Sequence, residues 1–109
     1  MARNGTAFTR QGRYPVKSAV YRDDPRPLEE GCACPACRHF SRAYVRHLLN
    51  VGEMLGPTLV TLHNLYLYAQ VLGDAREAIG AGTFEVFRRR FLEAYRPVRE
   101  DHLQQIQAP

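Results

Sequence analysis

The sequence predicts a small, mostly helical α+β fold, in which an extended lead precedes a cysteine-rich loop and about three helices. With 109 residues, the chain can form one small domain or part of a larger one. All three cysteines fall between positions 32 and 37, and apolar residues recur at helical spacing from Ser41 onward. A core of this size is modest, so a metal bound by the cysteines would contribute noticeably to stability.

The N-terminal lead is expected to be extended with turns. The segments TAFT (6–9) and VKSAVY (16–21) are rich in residues that suit strands, and the turn-prone RQGRYP around Gly12 separates them. The polar stretch DDPRPLEEG (23–31) contains two prolines and is predicted to be a loop leading into the cysteines. The lead has no evident core of its own.

The first helix is predicted to begin after Ser41, a plausible N-cap, and to end at Gly56 and Pro57. Its apolar stripe consists of Tyr44, Val45, Leu48, Leu49 and Leu55. Pro57 can then open the second helix, because proline is well tolerated as the first helical residue.

The second and third helices follow the same periodicity. The second carries Leu59, Leu62, Leu65, Tyr66, Ala69 and Leu72, can continue through Ala75 and Ile79, and ends at Gly80–Gly82. Thr83 can cap the third helix, which is expected to end near Pro97. Its apolar face is Phe84, Phe87, Phe91, Leu92 and Tyr95, and a polar tail follows Arg99.

The formal net charge is +4, and Lys17 is the only lysine among 15 basic residues. Arginine suits phosphate because its planar fork can bond two oxygens at once, although a GC-rich genome would also favour arginine. No apolar run approaches the roughly 18 residues of a membrane span, and MARNGTAFTRQG lacks the apolar stretch of a secretory signal. We therefore expect a cytoplasmic protein with reduced thiols, in which closely spaced cysteines more often bind metal than pair.

Cys32, Cys34 and Cys37 form a C-x-C-x-x-C motif that can supply three of the four tetrahedral ligands of zinc. The candidates for the fourth ligand are His39, His47, His63 and His102. His39 lies too close to Cys37 to reach the remaining vertex without strain, and His102 is in the polar tail. If the first two helices form an antiparallel hairpin, His63 on the second helix can reach back to the cysteine loop. His63 also lies near the apolar face of its helix, where a buried imidazole needs a partner. Three free thiols are the alternative, whereas an iron–sulfur cluster would need a fourth cysteine.

Four segments resemble, in order and spacing, the C-terminal part of bacterial tRNA-guanine transglycosylase, also called queuine tRNA-ribosyltransferase. They are ARNGTAFT, GCACPACRHFSRAYVRHL, TLHNLYLYAQVL and AIGAGTFEVFRRRFLEAY, and the resemblance runs from Ala2 to about Pro97. It implies that Cys32, Cys34, Cys37 and His63 hold one structural zinc, in agreement with the packing argument. It also implies a modified (β/α)₈ barrel, of which this chain would be the C-terminal part.

The same resemblance implies exchange of guanine at the tRNA wobble position for a 7-deazaguanine base, in the queuosine pathway. In the family, one aspartate attacks the ribose C1′ and a second handles protons, and both precede the segment that starts this chain. Asp23 and Asp24 align with neither, so we expect no catalytic residue here and no exchange by the chain alone. The predicted organisation is the end of the barrel region in residues 1–30, the zinc-binding helical subdomain in 31–97 and a polar tail in 98–109.

The resemblance further implies that Arg3, within ARNG, contacts RNA, and that Tyr44 and His47 lie at a homodimer interface. The alternatives are a solvated Arg3 and a Tyr44 that belongs to the chain's own core. Arg88, Arg89 and Arg90 are expected to face water, and phosphate contact is their alternative role. The sequence indicates no small-molecule cofactor.

Three functions compete. The first is the C-terminal portion of a transglycosylase, completed by a barrel half. The second is a free-standing zinc-stapled module that binds RNA or dimerises, and the third is a purely structural domain that buries its helices against a barrel or a second copy and touches no RNA.

Overall fold

The computed structural model describes residues 5–95, which form two strands and four α-helices. The elements are β1 (Thr6–Thr9), β2 (Gly12–Pro15), α1 (Pro35–His39), α2 (Arg42–Asn50), α3 (Leu55–Gly80) and α4 (Phe84–Ala94). The small, mostly helical α+β fold is therefore confirmed. None of the helices within residues 5–95 is long and apolar enough to cross a membrane.

The two strands form an antiparallel hairpin in which Thr6 pairs with Pro15 and Thr9 with Gly12. The prediction for β1 is confirmed, but the prediction of a second strand at 16–21 is wrong, because β2 lies in the supposed turn. The hydroxyl of Thr9 donates to the Gly12 carbonyl at 2.7 Å and accepts the Gln11 amide at 3.1 Å, which closes the turn early. Residues Ala19–Tyr21 form a 3₁₀ turn instead.

A short helix, α1, lies inside the cysteine loop and was not predicted. Cys34 is its N-cap, with a sulfur that accepts the Cys37 amide, and Pro35 occupies the first turn. Five residues are too few for the apolar periodicity on which a helix prediction depends.

Helix α2 begins as predicted, since the Ser41 hydroxyl accepts the Tyr44 amide at 3.1 Å. Its end at Asn50 comes earlier than the predicted stop at Gly56. Gly52 has a φ of +78°, its amide donates to Leu49, and the Glu53 amide donates to Leu48. These two bonds form a Schellman motif, which satisfies the last carbonyls of the helix.

Helix α3 is 26 residues long and begins at Leu55, so Gly56 and Pro57 lie in its first turn instead of separating two helices. Its end at Gly80 agrees with the prediction. Gly82, at a φ of +73°, donates to Ile79 while the Thr83 amide donates to Ala78, so the same terminating motif recurs.

Helix α4 follows Thr83, but the Thr83 hydroxyl donates to the Ala78 carbonyl and does not cap the new helix. Phe84, Phe87, Phe91 and Tyr95 form a ladder of adjacent rings, and none of the α4 residues is buried. The predicted helix end near Pro97 lies outside the described residues, as does the polar tail.

One core joins the hairpin, the loops and helices α1 to α3. Its members are Ala7, Tyr14, Val16, Tyr21, Leu28, Cys34, Ala36, Cys37, Val45, Leu48, Leu49, Leu59 and Val60. The lead, which lacks an evident core of its own, thus packs into the core of the helices. The division of the chain at residue 30 stays a prediction.

Candidate metal centre

Three elements bring the predicted metal ligands to one point. Cys32 lies in the loop, Cys34 and Cys37 lie at the start and in the middle of α1, and His63 projects from α3. The turn of α1 brings Cys34 and Cys37 to the same side, since residues three apart in a helix are neighbours. The ligand atoms of all four residues lie within 4.8 Å of one another.

The distances match those of a zinc tetrahedron. His63 Nδ1 lies 3.5 Å from Cys32 Sγ, 3.6 Å from Cys34 Sγ and 3.4 Å from Cys37 Sγ. With usual Zn–S and Zn–N bond lengths, the S···N edge of a tetrahedron is about 3.6 Å. The expected zinc-binding site is therefore confirmed as one cluster of three cysteines and one histidine.

The His63 ring is oriented by the hairpin. Its Nε2 lies 2.7 Å from the Phe8 carbonyl oxygen, which can only accept, so Nε2 carries the proton and Nδ1 presents its lone pair to the sulfurs. The Glu29 carboxylate lies 3.8 Å from the same Nε2. Burial lowers the pKa of His63, which favours the neutral ring that metals bind.

Burial disfavours the thiolate form of two of the cysteines. Burial raises the pKa of both Cys32 and Cys37, because the charged form is poorly solvated. The amides of Cys34 and Cys37 point at the sulfurs of Cys32 and Cys34, at 3.5 and 3.3 Å, where they would stabilise negative sulfur. Zinc would supply the compensating charge, and four protein ligands would leave no position open for a substrate, as in structural sites.

Neither of the other two histidines among the described residues joins this cluster. His39 and His47 are both exposed, and His102 lies outside the described residues. Tyr44 is 43% exposed and stacks on Phe40 at 5.5 Å, so it does not belong to the core of the described part. Arg88, Arg89 and Arg90 are exposed, as expected. Arg3 lies outside the described residues.

The sequence analysis missed Arg42, which anchors the loop before the cysteines. Arg42 is 8% exposed, and its guanidinium lies over the rings of Tyr14 and Tyr21. It donates to the carbonyls of Pro27 and Leu28 at 3.0 and 3.1 Å and lies 3.3 Å from the Asp24 carboxylate. A single arginine carries no sequence pattern that would reveal such a role.

It also missed Asn64, the neighbour of His63. Its side chain accepts the Phe8 amide at 2.9 Å and donates to the Thr6 carbonyl at 3.1 Å. The only available signal was the HN pair within TLHNLY, and this pair does not identify the partner strand.

This closed arrangement belongs to the class of structural zinc sites. Comparison with known proteins gives the family: the profile described as Queuine tRNA-ribosyltransferase matches residues 1–97, and the chain belongs to that family.

Curated proteins named queuine tRNA-ribosyltransferase are similar over most of the chain. The Ralstonia nicotianae protein is 56% identical over 90 residues, which cover 83% of this chain and 24% of the relative. The Dinoroseobacter shibae protein is 51% identical with the same coverage. The Fusobacterium nucleatum protein is 46% identical over 95 residues, covering 87% of this chain and 26% of the relative. The matched segment thus spans about a quarter of the length of these relatives.

Proposed function

We propose that this chain is the zinc-binding C-terminal portion of a tRNA-guanine transglycosylase, which exchanges guanine at the wobble position of tRNA for a 7-deazaguanine base. The observation that carries the proposal is the Cys₃His cluster, which lies inside the segment matched by the family profile. A cytoplasmic location, expected from the sequence, fits a family that modifies tRNA.

In this proposal, Cys32, Cys34, Cys37 and His63 ligate one zinc ion, and the ion has a structural role. It joins the loop, α1 and α3 around a core too small to hold them firmly by apolar burial alone. The chemistry of base exchange belongs to aspartates that the family carries ahead of the matched segment. Arg3 contributes an RNA contact near the exchanged base.

The test is base exchange by a chimera. This chain is fused behind the part of the Ralstonia nicotianae relative that precedes the matched segment, and incorporation of radiolabelled guanine into tRNA is measured. We expect exchange by the chimera and none by the 109-residue chain alone. A chimera that holds zinc but exchanges no guanine, while the intact relative does, would contradict the proposal. Exchange by the chain alone would refute the claim that the nucleophile lies elsewhere.

We further propose that Tyr44 and His47 lie at a homodimer interface. Both are exposed on α2, and further exposed apolar side chains lie in the α2–α3 connection and on α3. These are Val51, Met54, Leu55, Leu62, Leu65 and Leu72. Size-exclusion mass should fall toward that of a monomer in Tyr44→Ala and stay unchanged in the exposed control His39→Ala. An unchanged mass in Tyr44→Ala would remove this residue from the interface.

A free-standing RNA-binding module is the second candidate, favoured by the exposed Arg88–Arg90 run and the net charge of +4. It requires that the 109-residue chain bind tRNA by itself, with an affinity that falls steeply as salt rises. Absence of binding at low salt would exclude this function.

A further inference from the structure

The outer edge of strand β1, on the side away from β2, is bonded by side chains of α3. The side-chain amide of Asn64 accepts from the Phe8 amide at 2.9 Å and donates to the Thr6 carbonyl at 3.1 Å. The His63 ring donates from Nε2 to the Phe8 carbonyl at 2.7 Å. Two adjacent residues of one helix therefore bind three backbone groups of the strand, as a neighbouring strand would.

The same edge continues to Arg10, which is bonded by the loop before the cysteines. The Arg10 amide donates to the Glu29 carboxylate at 2.9 Å, and the Glu29 side chain is only 15% exposed. The backbone carbonyl of Glu29 accepts the Cys32 amide at 3.3 Å, so Glu29 joins the hairpin to the first metal ligand. Thr6, Phe8 and Arg10 are alternate residues, so their bonded groups face the same side of the hairpin.

Each side chain that bonds this edge is part of the metal centre or close to it in sequence. His63 is a ligand, Asn64 is the next residue, and Glu29 precedes Cys32 by three positions. His63 is fully buried and Asn64 is 7% exposed, so water cannot readily replace a lost hydrogen bond. The edge of β1 and the metal centre are therefore built on the same stretches of α3 and of the loop.

Phe8 connects the two. Its carbonyl accepts from His63 while its amide donates to Asn64, so the place of the carbonyl depends on both residues of α3. A histidine that binds metal through one nitrogen is oriented by the partner of the other. A shift of the Phe8 carbonyl would therefore turn the ring and move Nδ1 away from the sulfurs, which lie 3.4 to 3.6 Å from it.

We infer that Asn64 and Glu29 are positioning residues for the metal centre. They hold the edge of β1 so that the Phe8 carbonyl orients His63 and the loop presents Cys32. Neither residue belongs to the four-residue ligand cluster, so each acts through the groups that it bonds. This inference rests on the proposed zinc ligation and does not depend on base exchange or on RNA.

The experiment measures metal binding by the full 109-residue chain. Zinc affinity is obtained by competition with a chromophoric chelator, and the visible spectrum of the cobalt(II) form reports the ligands and geometry of the site. Asn64→Ala removes both bonds to β1, and Glu29→Ala removes the bond to Arg10. Glu29→Gln keeps an acceptor of the same length. Thr61→Ala and Glu30→Ala, at exposed positions nearby, are matched controls.

Loss of an outer partner should lower zinc affinity about ten- to a hundredfold in Asn64→Ala and in Glu29→Ala. At saturating cobalt, the spectrum of Asn64→Ala should move toward that of His63→Ala, in which the imidazole is missing. Glu29→Gln and both controls should keep the affinity and the spectrum of the unmodified chain.

A further variant, Gly56→Ala, separates positioning from a general loss of stability. A Cβ at Gly56 would lie 2.9 Å from the Leu49 backbone nitrogen, so this change loosens the packing of α2 on α3 and leaves the bonds to β1 intact. Its zinc affinity can fall, because metal binding and folding are coupled. Its cobalt spectrum should nevertheless be that of the unmodified chain.

Unchanged affinity in Asn64→Ala would overturn its positioning role. Reduced affinity with an unchanged cobalt spectrum would also overturn it, because the loss would then be one of stability alone. Equal losses in Glu29→Gln and Glu29→Ala would overturn the role of the bond to Arg10. If Asn64→Ala does not fold in zinc, the affinities of the two Glu29 variants decide. An unmodified chain that binds neither metal would refute the zinc site itself, which is a different result from any of these.

Discussion

Each nitrogen of the His63 ring has a partner. Nδ1 faces three sulfurs at 3.4 to 3.6 Å, and Nε2 faces the Phe8 carbonyl at 2.7 Å. A carbonyl partner fixes the tautomer, so the lone pair is aimed at the metal position before any ion binds. His39 and His47 are exposed on other helices and cannot replace it without a change of fold.

Replacing His63 by alanine should abolish stoichiometric zinc binding. The site would lose its only imidazole and leave a buried gap beside three thiols, so both affinity and stability should fall. Zinc per chain, measured by atomic spectrometry after dialysis, should drop from one toward zero, whereas the exposed control His47→Ala should retain one. Full zinc content in His63→Ala would point to a different fourth ligand.

Arg42 is the other single residue on which the loop depends. Hydrogen bonds from Arg26, followed by the charge of Arg42, hold the pKa of Asp24 at about 2, so the carboxylate stays ionised beside the buried guanidinium. The same guanidinium bonds two loop carbonyls. Its removal would leave these acceptors without their partner in a buried place.

Arg42→Ala should therefore lower the free energy of unfolding by about 2 to 4 kcal/mol, because it leaves the buried Pro27 and Leu28 carbonyls without their donor, while Asp24 keeps its ion pair with Arg26. Denaturant unfolding followed by circular dichroism would measure the change. Arg38→Ala, an exposed position on α1, should alter stability by less than about 0.5 kcal/mol. Equal stability of the two variants would show that the buried network contributes little.

Among the elements, α2 and α3 meet at a glycine. A Cβ at Gly56 would lie 2.9 Å from the Leu49 backbone nitrogen and 3.1 Å from the Leu48 carbonyl carbon. Because both contacts are to backbone, neither can be relieved by rotating a side chain. The missing Cβ thus lets the first turn of α3 approach the end of α2 closely, which orients α3 toward the cysteine loop.

Gly56→Ala should destabilise the fold by about 1 to 3 kcal/mol, because the helices must separate to accommodate a methyl group. Gly73→Ala is a matched control on the same helix, since a Cβ there meets nothing within 4 Å. This change should instead stabilise the protein by about 0.5 to 1 kcal/mol through helix propensity. Thermal unfolding of the zinc-loaded variants would measure both; stabilisation by Gly56→Ala would contradict the close packing.

At the scale of the whole molecule, one core joins segments that are distant in sequence, and the metal centre lies within it. Cys34 and Cys37 are themselves core residues, packed with residues from the hairpin and α3. Metal ligation and apolar packing therefore support the same arrangement of elements.

Removal of zinc should unfold or greatly loosen the protein. Structural zinc contributes about 10 kcal/mol or more in small domains, whereas the net stability of a domain is only about 5 to 15 kcal/mol. A strong chelator should abolish the cooperative thermal transition seen by circular dichroism, and added zinc should restore it. An unchanged transition in protein shown to be metal-free would assign stability to the apolar core alone.

Local patterns predicted much of the fold. Strand β1, the Ser41 cap and the end of α3 at Gly80 follow from residues adjacent in sequence. The second strand and the boundary between α2 and α3 were wrong, because Thr9 closes the hairpin turn early and Gly52 ends α2. In the sequence, the strand-like run at 16–21 and the Gly56-Pro57 pair were the more conspicuous signals. The side-chain bonds of Thr9 and the turn at Gly52, which decided the structure, have weaker local signatures.

The sequence by itself determined the family, through four segments that match it in order and spacing. It also determined which residues cluster, because zinc requires particular side chains and the cysteines are closely spaced. Tertiary structure alone decided how His63 is oriented, which strand Asn64 holds and what Arg42 anchors. These contacts join residues 14 to 58 positions apart and depend on how α2 and α3 pack, which no local pattern of residues specifies.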